Sequence, residues 1–177
     1  MKSGIMHCKL LLTFALCAIM TNSCVTDDEP AEWALGVGDS LPAFSVTLND
    51  GKEVSDSSLK GKASVIVFFN TSCPDCRKEL PVVQELWEHY KDNDELEIFA
   101  IAREEGAESI SSYWEENGLT IPWSAQNDRK VYSLFASSVI PRIFVSDRNL
   151  VINAAYGDKF LPTFQDLIDS VTFGLLF

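Results

Sequence analysis

An apolar strand in this chain leads directly into a pair of cysteines, and this order limits the folds that the chain can adopt. Residues 65–69 read Val-Ile-Val-Phe-Phe, a β-branched and aromatic run that is typical of a central strand buried on both faces. Cys73 and Cys76 follow, and from Pro74 to about Tyr90 apolar residues recur at helical spacing. Proline suits the first turn of a helix, where its missing N–H costs nothing. The sequence therefore predicts a strand, a Cys-x-x-Cys turn and a helix in succession.

This arrangement gives the two sulfurs different roles. At the start of a helix the first sulfur lies at the mouth, and the second lies one turn inside, within bonding distance. Cys73 is therefore the predicted nucleophile, and backbone N–H groups of the first turn stabilise its thiolate by about 0.3 to 1 kcal/mol. Asp75 opposes that thiolate by like-charge repulsion, which Arg77 and Lys78 offset in part. Cys76 is the predicted resolving residue, because it can break a mixed disulfide on Cys73.

Two other interpretations of such a pair are half a zinc site and two passive buried residues. No second cysteine pair follows, and the histidines are His7 and His89. The sequence therefore predicts neither a metal site nor a cofactor. His89 would lie about four turns along the helix, too far to act as a base, so we expect a surface or half-buried residue.

Residues 1–23 have the pattern of a signal peptide. Two lysines precede the apolar run 10–20, which is too short to span a bilayer. Ser23 then precedes Cys24, as at the end of a lipoprotein signal, so Cys24 is the predicted lipidation site and the mature N-terminus. Thr21 stands where such signals usually carry an aliphatic residue, and simple secretion is the alternative. The expected location is the cell envelope, with a lipid anchor on the periplasmic side or the cell surface of a Gram-negative-type outer membrane.

The leader also accounts for the other cysteines. Cys8 and Cys17 would leave with the signal, and Cys24 would carry lipid, so the mature domain keeps the pair Cys73 and Cys76. A two-residue spacing cannot close a long loop. An exported protein that keeps such a pair is therefore expected to use it in chemistry and not as a structural crosslink.

The remaining N-terminal residues are acidic. Residues 24–32 include a run of three acids and lack apolar periodicity, which predicts a tether, with one domain over residues 33–177. The formal net charge of the whole chain is −12. This charge argues against nucleic acid as a partner, and its simplest meaning is a solvated acidic surface.

Strands and helices alternate through the domain. The predicted elements are a hairpin over 43–48 and 53–54, a strand at 96–102, helices at 107–116 and 129–135, a short extended piece at 119–123, a second hairpin over 142–145 and 150–153, and a last helix at 161–171. This order predicts an α/β fold with a central sheet flanked by helices and an N-terminal β-hairpin extension.

Three groups of residues together resemble the TlpA/ResA-like thiol-disulfide oxidoreductases. They are the lead-in at 36–44, the cysteine motif with Glu79-Leu80-Pro81 behind it, and Val139-Ile140-Pro141 before a strand. The resemblance covers nearly all of residues 36–172. It implies a thioredoxin-like fold with a mixed central sheet.

The resemblance also implies roles for three residues. Pro141 would be a cis-proline facing the disulfide, and the backbone of Ile140 could pair with an extended substrate segment. Glu79 would assist proton transfer around the buried cysteine. The alternatives are an ordinary trans proline and a solvated helix carboxylate. One departure is Asn-Thr-Ser at 70–72, where family members often carry Trp just before the first cysteine, so the rim of the site is smaller and more polar.

The predicted function is thiol-disulfide exchange, with reduction of disulfides in exported proteins and an upstream thiol donor that recycles the pair. A peroxiredoxin is one alternative, but neither cysteine fits the Pro-x-x-x-Thr-x-x-Cys pattern of that class. Cys73 has Asn70 and Ile66 at the Thr and Pro places, and Cys76 has Cys73 and Phe69. The other alternative is a thioredoxin-fold lipoprotein that binds a partner without catalysis.

Overall fold

The strand before the cysteines lies in the middle of a five-stranded sheet. The computed structural model describes residues 33–177, and all seven residues of its strand β3 (Ala63–Phe69) are buried. The predicted signal peptide, lipidation site and tether lie outside the described residues. The other strands of this sheet are β4 (Leu96–Ala102), β5 (Trp123–Ser124), β6 (Arg142–Ser146) and β7 (Ile152–Gly157). The strand order is β5-β4-β3-β6-β7.

The sheet is mixed. β4 lies parallel to β3, and β5 lies parallel to β4, whereas β6 is antiparallel to both β3 and β7. A separate hairpin pairs β1 (Ser45–Thr47) with β2 (Glu53–Ser55), as the N-terminal pattern predicts. The α-helices are α1 (Asp56–Leu59), α2 (Pro74–Tyr90), α3 (Ala107–Asn117) and α4 (Phe164–Leu176). The predicted α/β class, mixed sheet and N-terminal hairpin are confirmed.

Aromatic side chains fill one part of the core. Phe68 of β3 contacts Phe135 and Tyr132 at ring-centroid distances of 4.9 and 5.4 Å. Phe135 also packs on Phe44 and Phe144, with centroids 5.5 Å away in both cases. Such offset and edge-to-face pairs add to the free energy gained by apolar burial. The residues between β5 and β6 therefore belong to the core although they form no long helix.

The predicted helix at 129–135 is wrong. Only one turn of 3-10 helix is present, at Tyr132–Leu134. Tyr132 and Phe135, three residues apart, are both buried, and a tight turn is enough to point both rings at the sheet. Apolar spacing over a single turn cannot distinguish such a turn from a helix.

Several element boundaries differ from the prediction, and side-chain hydrogen bonds explain two of them. The last helix begins at Phe164 because Thr163 caps it and forms a capping box with Asp166. The second strand of the C-terminal hairpin begins at Ile152 because the Asp147 carboxylate accepts the N–H groups of Asn149 and Val151, at 2.8 and 2.9 Å, and so extends the turn.

Candidate active site

Cys73 caps the first turn of α2. Its backbone is extended (φ −78°, ψ 120°), and its Sγ accepts the N–H of Cys76 at 3.3 Å. Both thiols are free, and Cys73 is partly exposed whereas Cys76 is buried. A substrate can therefore reach the outer sulfur, where the helix N-terminus favours a thiolate.

Cys76 lies in an environment that disfavours ionisation. Its exposed fraction is 0%. Burial raises the pKa of its thiol far above the ordinary value, and the hydrogen bond with Cys73 raises it further. The backbone of Asn70 and the Arg103 guanidinium act in the opposite direction. At neutral pH Cys76 is a thiol, which attacks a disulfide only when a base takes its proton.

Glu79 is buried on the same helix, three residues after Cys76. Only 2% of its surface is exposed, which removes the alternative of a solvated carboxylate. Burial raises its pKa to about 7. Its Oε1 atom accepts no hydrogen bond from the described residues. A carboxyl with these properties changes protonation near neutral pH, as an acid–base group must.

The loop before β6 lies against the outer sulfur. The Ile140–Pro141 peptide bond is cis, which is the conformation predicted for Pro141. The Ile140 carbonyl oxygen lies 3.6 Å from the Sγ of Cys73 and accepts a weak hydrogen bond from the S–H group. The buried Tyr132 hydroxyl donates to the Val139 carbonyl at 2.6 Å and holds the loop from beneath.

The charged residues after the cysteines divide into two groups. The Lys78 ammonium lies 2.7 Å from the Asp75 carboxylate, so it offsets the charge that opposes the thiolate. Arg77 donates instead to the carbonyl of Thr71, and its guanidinium lies 5.6 Å from the ring centre of Tyr113. Lys78, and not Arg77, is therefore the cation that directly offsets the negative charge of Asp75.

Two residues that follow β4 contact the loop before Cys73 and were not identified from the sequence. Arg103 accepts a hydrogen bond at its carbonyl from the Asn70 side chain, and Glu105 accepts hydrogen bonds from Thr71. Parallel neighbouring strands end at the same edge of a sheet. A charged run at 103–105 directly after a seven-residue apolar strand was the signal that could have identified them.

Other features of the described region lie away from this site. His89 is exposed, as predicted, and its ring contacts those of Tyr90 and Phe164. A cleft of about 640 Å³ lies beside Leu48 and Trp123 and contains neither cysteine. Within residues 33–177 no group of three or more acidic, histidine or cysteine side chains could hold a metal ion, and no helix is long and apolar enough to cross a membrane.

The model of the AhpC/TSA family matches residues 37–155. This chain belongs to the AhpC/TSA family. Among curated relatives of this family member, the thiol-disulfide oxidoreductase ResA of Bacillus anthracis is 26% identical over 137 residues, which cover 77% of this chain and 79% of the relative. ResA of Geobacillus kaustophilus is 31% identical over 116 residues, 66% of each protein.

Solved structures agree with this assignment. A protein from Bacteroides thetaiotaomicron, assigned as a protein disulfide isomerase, superposes with a TM-score of 0.74 at 28% identity, covering 82% of this chain and 96% of that one. A thiol:disulfide interchange protein of the thioredoxin family from Chlorobium tepidum gives 0.66 at 25% identity, covering 80% and 98%. The family member therefore has a thioredoxin-like fold, is TlpA/ResA-like and is a thiol-disulfide oxidoreductase.

Proposed function

We propose that this protein is an exported lipoprotein, anchored in the cell envelope through Cys24, that reduces disulfides of exported proteins with the dithiol of Cys73 and Cys76. The contrast between the two sulfurs carries the proposal. One is partly exposed and caps a helix, and the other is fully buried one turn inside. A crosslink needs no such contrast, whereas exchange through a mixed disulfide needs a reachable nucleophile and a protected resolving group.

The reaction has two displacement steps. The Cys73 thiolate attacks one sulfur of a substrate disulfide, forms a mixed disulfide and expels the other substrate sulfur, which takes a proton from solvent. Cys76 then loses its proton and attacks the Cys73 sulfur. This step forms the internal disulfide and expels the second substrate sulfur, which takes up the released proton. The substrate gains two electrons and two protons, and the pair is oxidised by two electrons.

Glu79 is the proposed proton acceptor in the second step. The thiol of Cys76 has a raised pKa, so its attack on the mixed disulfide requires a base. The Glu79 carboxyl has a pKa of about 7 and lies on the same side of the helix. An internal base of this kind could take the proton where water has little access.

The substrate segment is proposed to bind along the cis-proline loop. The Ile140 carbonyl lies beside the Cys73 sulfur, so an extended peptide pairing with this backbone would bring its own sulfur to the nucleophile. The neighbouring Ser72 is exposed and small, and it leaves room for polar side chains. An upstream dithiol protein must then reduce the internal disulfide again.

A peroxidase is the alternative that the family name raises. The peroxiredoxin pattern has Thr three places and Pro seven places before the reactive cysteine. Before Cys73 these places hold Asn70 and Ile66. We therefore expect slow consumption of hydrogen peroxide and rapid reduction of insulin disulfides. A purified protein with the reverse preference would contradict the proposal.

The main test traps the mixed disulfide. Cys76→Ser should accumulate covalent complexes on Cys73 in envelope extracts, and Cys73→Ser, the matched control, should accumulate none and lose exchange. Reduced protein should react with iodoacetamide first at Cys73, because Cys76 is buried. Faster labelling of Cys76, or equal complex formation by both variants, would contradict the assigned roles.

A further inference from the structure

The loop between β3 and α2 is held by side-chain hydrogen bonds. The Asn70 Oδ1 atom accepts the N–H and the hydroxyl of Ser72 at 2.9 and 2.5 Å, and its Nδ2 donates to the Arg103 carbonyl at 3.1 Å. This loop carries no aromatic residue to pack it in place. The polar contacts therefore contribute strongly to its position.

Thr71 is the most strongly held residue of this loop. Its N–H donates to Glu105 Oε2 at 2.7 Å, its hydroxyl donates to Glu105 Oε1, and its carbonyl accepts from Arg77 Nε. Thr71 is 7% exposed and Glu105 is 9% exposed. Hydrogen bonds to a carboxylate with so little contact with water are among the stronger ones in proteins. All the polar backbone and side-chain groups of Thr71 are thus engaged.

These contacts determine which donors can reach the outer sulfur. The N–H of Thr71 goes to Glu105, and those of Ser72 and Cys73 go to the side chain and carbonyl of Asn70. The Cys73 sulfur accepts its backbone N–H from Cys76 in α2. The loop therefore fixes the sulfur in position while its own amides are directed elsewhere.

We propose that Glu105 is a positioning residue for Cys73, acting through Thr71. It holds the loop two residues before the nucleophile, and so sets the place of the sulfur between the Cys76 N–H and the Ile140 carbonyl. Its carboxylate is hydrogen-bonded to the residue two places before Cys73, and removal of a negative charge from this loop should favour the reduced pair over the neutral disulfide. This role rests on the proposed exchange function.

Loss of the hydrogen bond to Thr71 or of the Glu105 charge should change the redox equilibrium in a predictable direction. In Glu105→Gln the amide keeps one acceptor oxygen and turns its NH2 toward a Thr71 donor, so one hydrogen bond and the charge are lost. We expect the equilibrium between the pair and glutathione to move about tenfold toward the reduced form, which is about 30 mV. Glu108→Gln is the matched control, because that carboxylate is three residues from Glu105 and is exposed at the start of α3.

Substitutions at Thr71 test the contact without changing charge. Thr71→Val keeps the shape and removes the hydroxyl, and we expect at least a threefold loss in the rate of insulin disulfide reduction for each folded molecule. Thr71→Ser restores the hydroxyl and should restore the rate. Urea unfolding of each variant gives the folded fraction.

The outcomes separate positioning from simple stabilisation. If Glu105→Gln and Thr71→Val were less stable but kept the original glutathione equilibrium and rate, the role would be structural and the proposal overturned. If the unchanged protein reduced no disulfide, the proposed function would fail. The glutathione equilibrium needs no protein substrate, so it would still report on Glu105.

Discussion

Replacement of Glu79 by glutamine should make the folded protein more stable at alkaline pH and less active. Burial raises the pKa of this carboxyl from an ordinary 4.5 to about 7, so the folded protein binds this proton more tightly than the unfolded chain does. The stabilisation from that bound proton is complete below about pH 4.5 and is lost as the pH rises through about 7.

The magnitude follows from the two pKa values. At about 1.4 kcal/mol for each pKa unit, the difference amounts to about 3 kcal/mol of unfolding free energy lost between pH 4.5 and pH 8. Glutamine carries no charge but also loses hydration on burial, so we expect Glu79→Gln to gain about 1 to 3 kcal/mol at pH 8. At pH 4.5 the two proteins should differ little.

The assay is urea unfolding of the reduced protein at several pH values from 4.5 to 8, followed by tryptophan fluorescence. Glu85→Gln is the control, since that carboxyl is exposed on the same helix, and we expect no comparable gain. The rate of insulin reduction by Glu79→Gln should fall at pH 7, because the resolving thiol loses its base. A stability difference that does not grow with pH would refute this account of Glu79.

Three further predictions concern other parts of the chain. Mass spectrometry of the membrane-extracted protein should find a mature N-terminus at Cys24 with diacyl or triacyl lipid, and any other N-terminus would contradict the lipoprotein assignment. Equilibration in glutathione and dithiothreitol buffers should give a reducing pair, because Asp75 opposes the thiolate, although its contact with Lys78 limits this effect; a potential above about −150 mV would place the protein among the oxidants. Tyr132→Phe removes a buried hydroxyl from the Val139 carbonyl, so thermal unfolding should show a loss of about 1 to 3 kcal/mol, and an unchanged midpoint would mean that this bond contributes nothing.

Long elements with a clear period were predictable from the sequence. The strand before the cysteines and the helix Pro74–Tyr90 have strong apolar patterns, and the predicted bounds of that helix agree with the structure. The turn Tyr132–Leu134 was predicted as a helix, because tertiary burial of two rings gives the same short pattern. The spacing of apolar residues identifies a long helix or strand, because its period repeats several times. It fails for a single turn whose conformation depends on packing against the rest of the core.

The candidate active site was also predictable only in part from the sequence. The cysteines are adjacent in the sequence, and the helix start alone predicts which sulfur is outside. The contact of Glu105 with Thr71 joins residues 34 positions apart, and only the register of two parallel strands brings them together. Glu79 was recognised through a family resemblance, but its burial depends on how the helix packs against the sheet.

The use of a reactive sulfur as the cap of α2 couples the redox state of the pair to the stability of the fold. A side-chain cap contributes about 0.5 to 2 kcal/mol to a helix start, and this sulfur accepts the Cys76 N–H less well once it is part of a disulfide. The two redox states should then unfold with different free energies. Because folding and oxidation form a closed thermodynamic cycle, that difference equals the change in redox free energy when the chain folds. Amide hydrogen exchange at Cys76, measured in both states, would give the local part of this coupling without any substrate.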